Sequence, residues 1–118
     1  MATVLVTDDE YTVRYALRTV LKRAGHIVLE ACDGAEALNV LKNHAVDVVI
    51  LDMIMPNKEG VETTIEIQQT YPSVKIVAIS GGGRTRNLDF LAMAQTYGAQ
   101  TVLSKPFTNE QLLESIST

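Results

Sequence analysis

The sequence predicts a single α/β domain built as a doubly wound, five-stranded parallel sheet, and three observations carry that expectation. Short β-branched runs recur at 3–7, 26–31, 46–51, 75–80 and 101–103, each parted from the next by a segment long enough for a helix. The run VVIL, 48–51, is apolar throughout, as expected of a strand covered on both faces. The chain has 118 residues, enough for one core without disulfides or structural metal.

Each element can be justified in turn. After the first strand, 10–24 carries Val13, Leu17, Val20, Leu21 and Ala24 at helical spacing, and Gly25 supplies the stop. After the second strand, Asp33 and Glu36 have capping-box spacing, with Ala37, Leu38 and Leu41 following on one face. Behind the third strand, Gly60 precedes a weaker helix carrying Val61 and Ile65, which Pro72 closes. Leu88, Leu91, Ala92 and Tyr97 mark a fourth helical segment beyond the fourth strand, ended by Gly98. Past the fifth strand, Thr108 and Gln111 form a second capping-box pair before Leu112, Leu113 and Ile116. With no repeat, linker or low-complexity stretch, 1–118 reads as one domain.

Composition narrows the function. Hydrophobic residues make up 47% and charged residues 20%, an ordinary soluble composition. Net charge is -4 and the ten Lys and Arg are scattered, which argues against direct binding of nucleic acid or an anionic membrane. The single Cys32 cannot form an internal disulfide and reads as a small core or edge residue. With no signal-peptide pattern and no apolar run near about 18 residues, a reduced, cytoplasmic protein is expected.

The stretch VVILDMIMP, 48–56, places Asp52 among large apolar residues, where a lone carboxylate is costly unless paired. Asp8 and Asp9 follow the first strand, Asp52 ends the third, Ser80 ends the fourth and Lys105 follows the fifth. All fall at carboxyl ends of strands, the rim where open α/β sheets bind ligands. If the strand order is 2-1-3-4-5, assumed from the fold type, strands 1 and 3 are neighbours and strand 2, which brings no such residue, lies at the edge. One pair of like charges at about 4 Å is unfavourable by roughly 4 kcal/mol at an effective dielectric near 20. A divalent cation relieves this, and hard oxygen donors without nearby Cys or His favour Mg²⁺ over Zn²⁺. Cation, Lys105 ammonium and Ser80 hydroxyl together can hold a phosphoryl group while the Asp52 carboxylate attacks phosphorus in line.

VTDDE at 6–10, LDMIMPNKEG at 51–60, AIS at 78–80, YGA at 97–99 and SKPF at 104–107 together resemble the receiver domain of two-component response regulators, over nearly the whole chain. The resemblance implies a flavodoxin-like (βα)5 fold, Mg²⁺ at the acid pair, and phosphorylation of the central Asp by a sensor histidine kinase or phosphotransfer protein. It also implies slow self-dephosphorylation and signalling to an output domain or downstream partner. Carried over by position, Asp8 and Asp9 hold the metal, the latter directly, and Asp52 is both ligand and phosphoacceptor. The main-chain carbonyl of Ile54 is a further ligand. Ser80 binds the phosphoryl group, Lys105 pairs with it, and the Lys105–Pro106 bond is cis.

Two positions depart from the pattern. Val102 stands where the family often has a switching Tyr or Phe, and Gly81, Gly82 and Gly83 directly follow Ser80. Glycine makes that loop inexpensive to rearrange, so the expected switch runs from Ser80 through the glycines to the face of the fourth helical segment, fifth strand and last helix. Ile54 is apolar where some receivers carry a polar side chain for the hydrolytic water, which predicts slow dephosphorylation.

Plainer readings exist for each residue alone. Asp8 and Asp9 could cap the first helix, Lys105 could be a surface lysine and Ser80 a turn hydroxyl. Met53, Ile54 and Met55 read as packing, Arg84 and Arg86 as solvated loop charges, and His26 and His44 as structural residues on the opposite rim. Two rival functions remain. DDEYT at 8–12 loosely imitates the start of haloacid-dehalogenase-type phosphohydrolases, but only Glu110 and Glu114 follow Lys105 as acids. The other rival is a receiver-like interaction module that is never phosphorylated.

Overall fold

The computed structural model describes residues 1–53, 60–80, 96 and 98–117. Five strands, β1 (Thr3–Thr7), β2 (Ile27–Ala31), β3 (Val48–Asp52), β4 (Lys75–Ser80) and β5 (Thr101–Ser104), form one sheet in the order β2-β1-β3-β4-β5. Every neighbouring pair is parallel. The expected topology is therefore present, with β2 at one edge.

The apolar runs explain why this sheet is buried. Side chains alternate across a strand, so Val48 and Ile50 face one way and Val49 and Leu51 the other; all four are buried. On one face Val4, Val6, Val77 and Ile79 pack with Leu17 and Leu21 of α1 (Tyr11–Arg23) and with Leu112 and Ile116 of the C-terminal helix (Asn109–Ile116). On the other, Leu5, Ile76 and Ala78 pack with Ala37 and Leu41 of α2 (Gly34–Asn43) and Ile67 of α3 (Gly60–Thr70). Two half-cores on opposite faces are what a doubly wound sheet requires.

The helix ends follow the local chemistry. Gly25 has φ +92°, its N–H donates to Lys22 O and that of His26 to Leu21 O, the paired bonds of a Schellman stop. That use of His26 by the helix explains why β2 begins one residue later than the β-branched run suggests. Thr108 and Gln111 form the full reciprocal capping box. At α2, Asp33 accepts from the Glu36 N–H, whereas the Glu36 carboxylate accepts from the Cys32 N–H at 3.0 Å. β3 starts at Val48 instead of 46 and runs through Asp52. The C-terminal helix spans eight residues, from just after the Thr108 cap to Ile116. Of the fourth helical segment, Thr96 is helical and Gly98 has φ +131°; Leu88, Leu91, Ala92 and Tyr97 lie outside the described residues. Among the described residues no helix is long and apolar enough to cross a membrane.

Candidate functional site

The register of the sheet builds the site. Thr7 pairs with Leu51, so the next residues of β1 and β3, Asp8 and Asp52, emerge side by side at the carboxyl rim. One carboxylate oxygen from each of Asp8, Asp9 and Asp52 lies within 4.8 Å of the others. Burial is graded, with Asp8 2% exposed, Asp52 intermediate and Asp9 open to solvent.

Asp8 is the constrained member. Its N–H donates to Ala31 O on β2 at 3.1 Å, and its Oδ1 accepts from the Glu10 N–H at 2.9 Å. Burial pushes the Asp8 carboxyl above its ordinary value; the Glu10 N–H and the Lys105 ammonium pull it down, and the Asp9 charge pushes it up again. The net direction is upward because burial outweighs both, and Lys105 Nζ, 3.8 Å from Asp8 Oδ2, is beyond the length of a charge-assisted hydrogen bond that would offset it further. The capping expectation survives only in part: Glu10 is the N-cap of α1 and lacks a side-chain cap bond, while Asp8 serves the Glu10 N–H.

The remaining polar positions lie at the end of β4 and just after β5. Ser80 ends β4 in register with Ser104 of β5, one residue before Lys105, and the Lys105–Pro106 peptide is cis. Val102 pairs with Ala78, is half-buried, and packs against the half-core under α2 and α3. Ile54, Met55, Gly81, Gly82, Gly83, Arg84 and Arg86 lie outside the described residues.

His26 and His44 sit away from this rim. His26 Nδ1 accepts from the Ala2 N–H at 3.0 Å, and His44 Nδ1 lies 3.2 Å from Val40 O. Cys32 is a free, partly exposed thiol beside Glu36. Glu110 and Glu114 are exposed on the C-terminal helix and are not members of the acid cluster, which leaves the phosphohydrolase reading without its extra acids.

Two residues of the site have no strong sequence signal. Gly60 reads as a helix start, yet a Cβ there would lie 2.5 Å from Met53 Cα and 2.9 Å from Asp52 O. Its N–H donates to Met53 O at 3.2 Å, so α3 begins directly against the backbone that carries Asp52. The clue was a glycine at the first helical position, where a side chain is normally welcome. Arg14 sits on α1 next to Val13 and belongs to no motif, yet its Nη1 donates to Asp8 O at 2.7 Å.

Three convergent carboxylates without a His or Cys among them suit a hard divalent cation, and the buried, crowded Asp8 is what such a charge would relieve.

The response regulator receiver domain model matches residues 4–117. The chain is 31% identical to the chemotaxis protein CheY of Halobacterium salinarum, over 97% of this chain and 92% of that protein. It is also 31% identical to the CAI-1 autoinducer sensor kinase/phosphatase CqsS of Vibrio cholerae, over 97% of this chain but 17% of that one. The crystal structure of a response regulator receiver domain protein from Clostridium thermocellum superposes with TM-score 0.90 at 33% identity, covering 98% of this chain and 91% of that one.

Proposed function

We propose the chemistry of this site from one premise: the chain belongs to the response regulator receiver domain family. It is therefore a phosphoacceptor signalling switch, of a kind found both in response regulators and within sensor kinases. The finer assignment concerns which residues do what.

Asp52 is the acceptor. Its carboxylate oxygen attacks the phosphorus of a phosphohistidine on a sensor kinase or phosphotransfer protein; the P–N bond breaks, its electron pair stays with the imidazole, and an aspartyl phosphate results. Asp8, Asp9, Asp52 and the Ile54 carbonyl would hold Mg²⁺, which when bound supplies positive charge for the phosphoryl oxygens. Asp8 and Asp9 keep that end of the site acidic, Lys105 pairs with the phosphoryl group from the opposite side, and the Ser80 hydroxyl donates to it. The signal leaves through Ser80, Gly81 to Gly83 and Val102 toward the face of the fourth helical segment, β5 and the C-terminal helix. The domain, 1–118, acts as a cytoplasmic switch for an output domain or downstream protein and is not itself an enzyme.

The observation that carries this reading is the meeting of three carboxylates within 4.8 Å of one another, faced by Lys105 Nζ 3.8 Å from the most buried of them. Intact mass after incubation with a small phosphodonor and Mg²⁺ tests it. Wild type should gain one base-labile phosphoryl adduct and Asp52→Asn none; an equal adduct on both would remove Asp52 from its role, and multiple turnover of a phosphomonoester would restore the hydrolase reading.

A further inference from the structure

We infer that Arg14 is a positioning residue of the acid site, holding the Asp8 main chain so that its carboxylate stays among Asp9 and Asp52; this rests on the Mg²⁺ reading above. Arg14 Nη1 donates to Asp8 O at 2.7 Å, a short charge-assisted bond. Its Nε donates to Glu30 Oε1 at 3.3 Å, and the other oxygen of Glu30 accepts from Arg18 Nη1 at 2.8 Å. The guanidinium also lies over the Tyr11 ring, 5.6 Å from its centroid. The Arg14 side chain is 16% exposed, and a planar guanidinium held at several points has little freedom left.

The effect on Asp8 is geometric. Asp8 is tied through its N–H to Ala31 O and through its carbonyl to Arg14, so the backbone is fixed on both sides of the Cα that carries the carboxylate. Crowded acids repel, and a freer chain would swing Asp8 outward toward water. The charges that act on the Asp8 carboxyl are those of Lys105, Asp9 and Glu10; Arg14 addresses the carbonyl instead. It thus sets position through a strut that runs from edge strand β2, by Glu30, to the first acid of the rim. A site held in this way binds a cation without first having to gather its ligands.

The test is Mg²⁺ calorimetry on wild type, Arg14→Ala, Arg14→Lys and Arg18→Ala, with thermal unfolding of each in EDTA. Arg14→Ala should raise the Mg²⁺ Kd about tenfold, the lower end for partners that orient metal ligands. Arg14→Lys, which keeps one donor for the carbonyl, should recover part of that affinity. Arg18→Ala leaves both Arg14 bonds in place and should stay within about twofold of wild type even where its Tm falls. Equal weakening by Arg14→Ala and Arg18→Ala, or an unchanged Kd in Arg14→Ala, overturns the inference. If Arg14→Ala does not fold, a wild-type Kd in Arg14→Gln, which lacks the guanidinium fork, overturns it equally. Failure of wild type to bind Mg²⁺ would instead remove the metal reading on which it rests.

Discussion

The two rims of this sheet handle acids in opposite ways. At the amino rim Asp47 closes on the local backbone: its Oδ2 accepts from the Thr3 N–H at 2.8 Å, its N–H donates to Thr3 O, and its carbonyl accepts from the Lys75 N–H. His26 there accepts from the Ala2 N–H, and Lys75 Nζ donates to Ser117 O at 3.0 Å. At the carboxyl rim the Asp8 main chain is tied as well, to Ala31 O and Arg14 Nη1, and its Oδ1 accepts from the Glu10 N–H, but its carboxylate also faces two others and an ammonium too distant for a tight pair. One rim is polar in a way that completes the fold. The other gathers three carboxylates whose mutual repulsion a bound cation would relieve.

The largest expected break in this comparison comes from Gly60→Ala. A helix start ordinarily gains from alanine, but here the new Cβ would press on Met53 Cα and Asp52 O. We expect a loss of about 3 kcal/mol, the upper range for overpacking, seen in urea unfolding, together with weaker phosphorylation of Asp52. A variant as stable and as readily phosphorylated as wild type would show that α3 does not hold the acceptor strand in place.

Asp8→Asn should act in the other direction on the metal-free protein. Burial raises the Asp8 carboxyl above 3.8, so the native chain binds that proton more tightly than the unfolded chain. Stability without metal therefore falls as pH rises from about 3.8 through the raised value and stays reduced above it. Asp8→Asn removes this loss, which burial causes first; the like-charge part alone is about 1–4 kcal/mol for one pair near 4 Å between dielectrics of 80 and 20. Urea midpoints in EDTA should coincide at low pH and separate at neutral pH, with the variant higher; Mg²⁺ should then stabilise wild type more than the variant. Parallel pH profiles would contradict the crowding argument.

The smallest effect belongs to the amino rim. Asp47→Ala removes one acceptor for the Thr3 N–H and should cost about 1 kcal/mol in thermal or urea unfolding. Mg²⁺ affinity and the phosphoryl adduct should not change, since Asp47 precedes β3 and Asp52 ends it, at opposite rims of the sheet. A loss of Mg²⁺ binding in this variant would mean that the two rims are coupled through the sheet.

Much of this was legible in the residues themselves. The apolar run at 48–51 has no polar face, so burial on both sides followed, and with it helices on both faces. The glycine at 25 and the Thr108, Gln111 pair mark helix ends through purely local bonds, and the structure forms both motifs. Asp52 stood out because a carboxylate amid Leu51, Met53 and further apolar residues is costly wherever the chain goes. The Asp33, Glu36 pair was harder: its spacing is the same, but the carboxylate of Glu36 reaches the Cys32 N–H.

Sequence by itself determined the period of each segment, and hence the fold class and the presence of acids, a hydroxyl and a lysine at strand ends, because these depend on neighbours a few residues away. Only the tertiary structure decided which strand tips touch. Register between β1 and β3 brings Asp8 beside Asp52, chain reversal places Gly60 against Met53, and folding carries Arg14 to the carbonyl of Asp8. Those are distances across space, and the spacing of residues along a chain does not encode them.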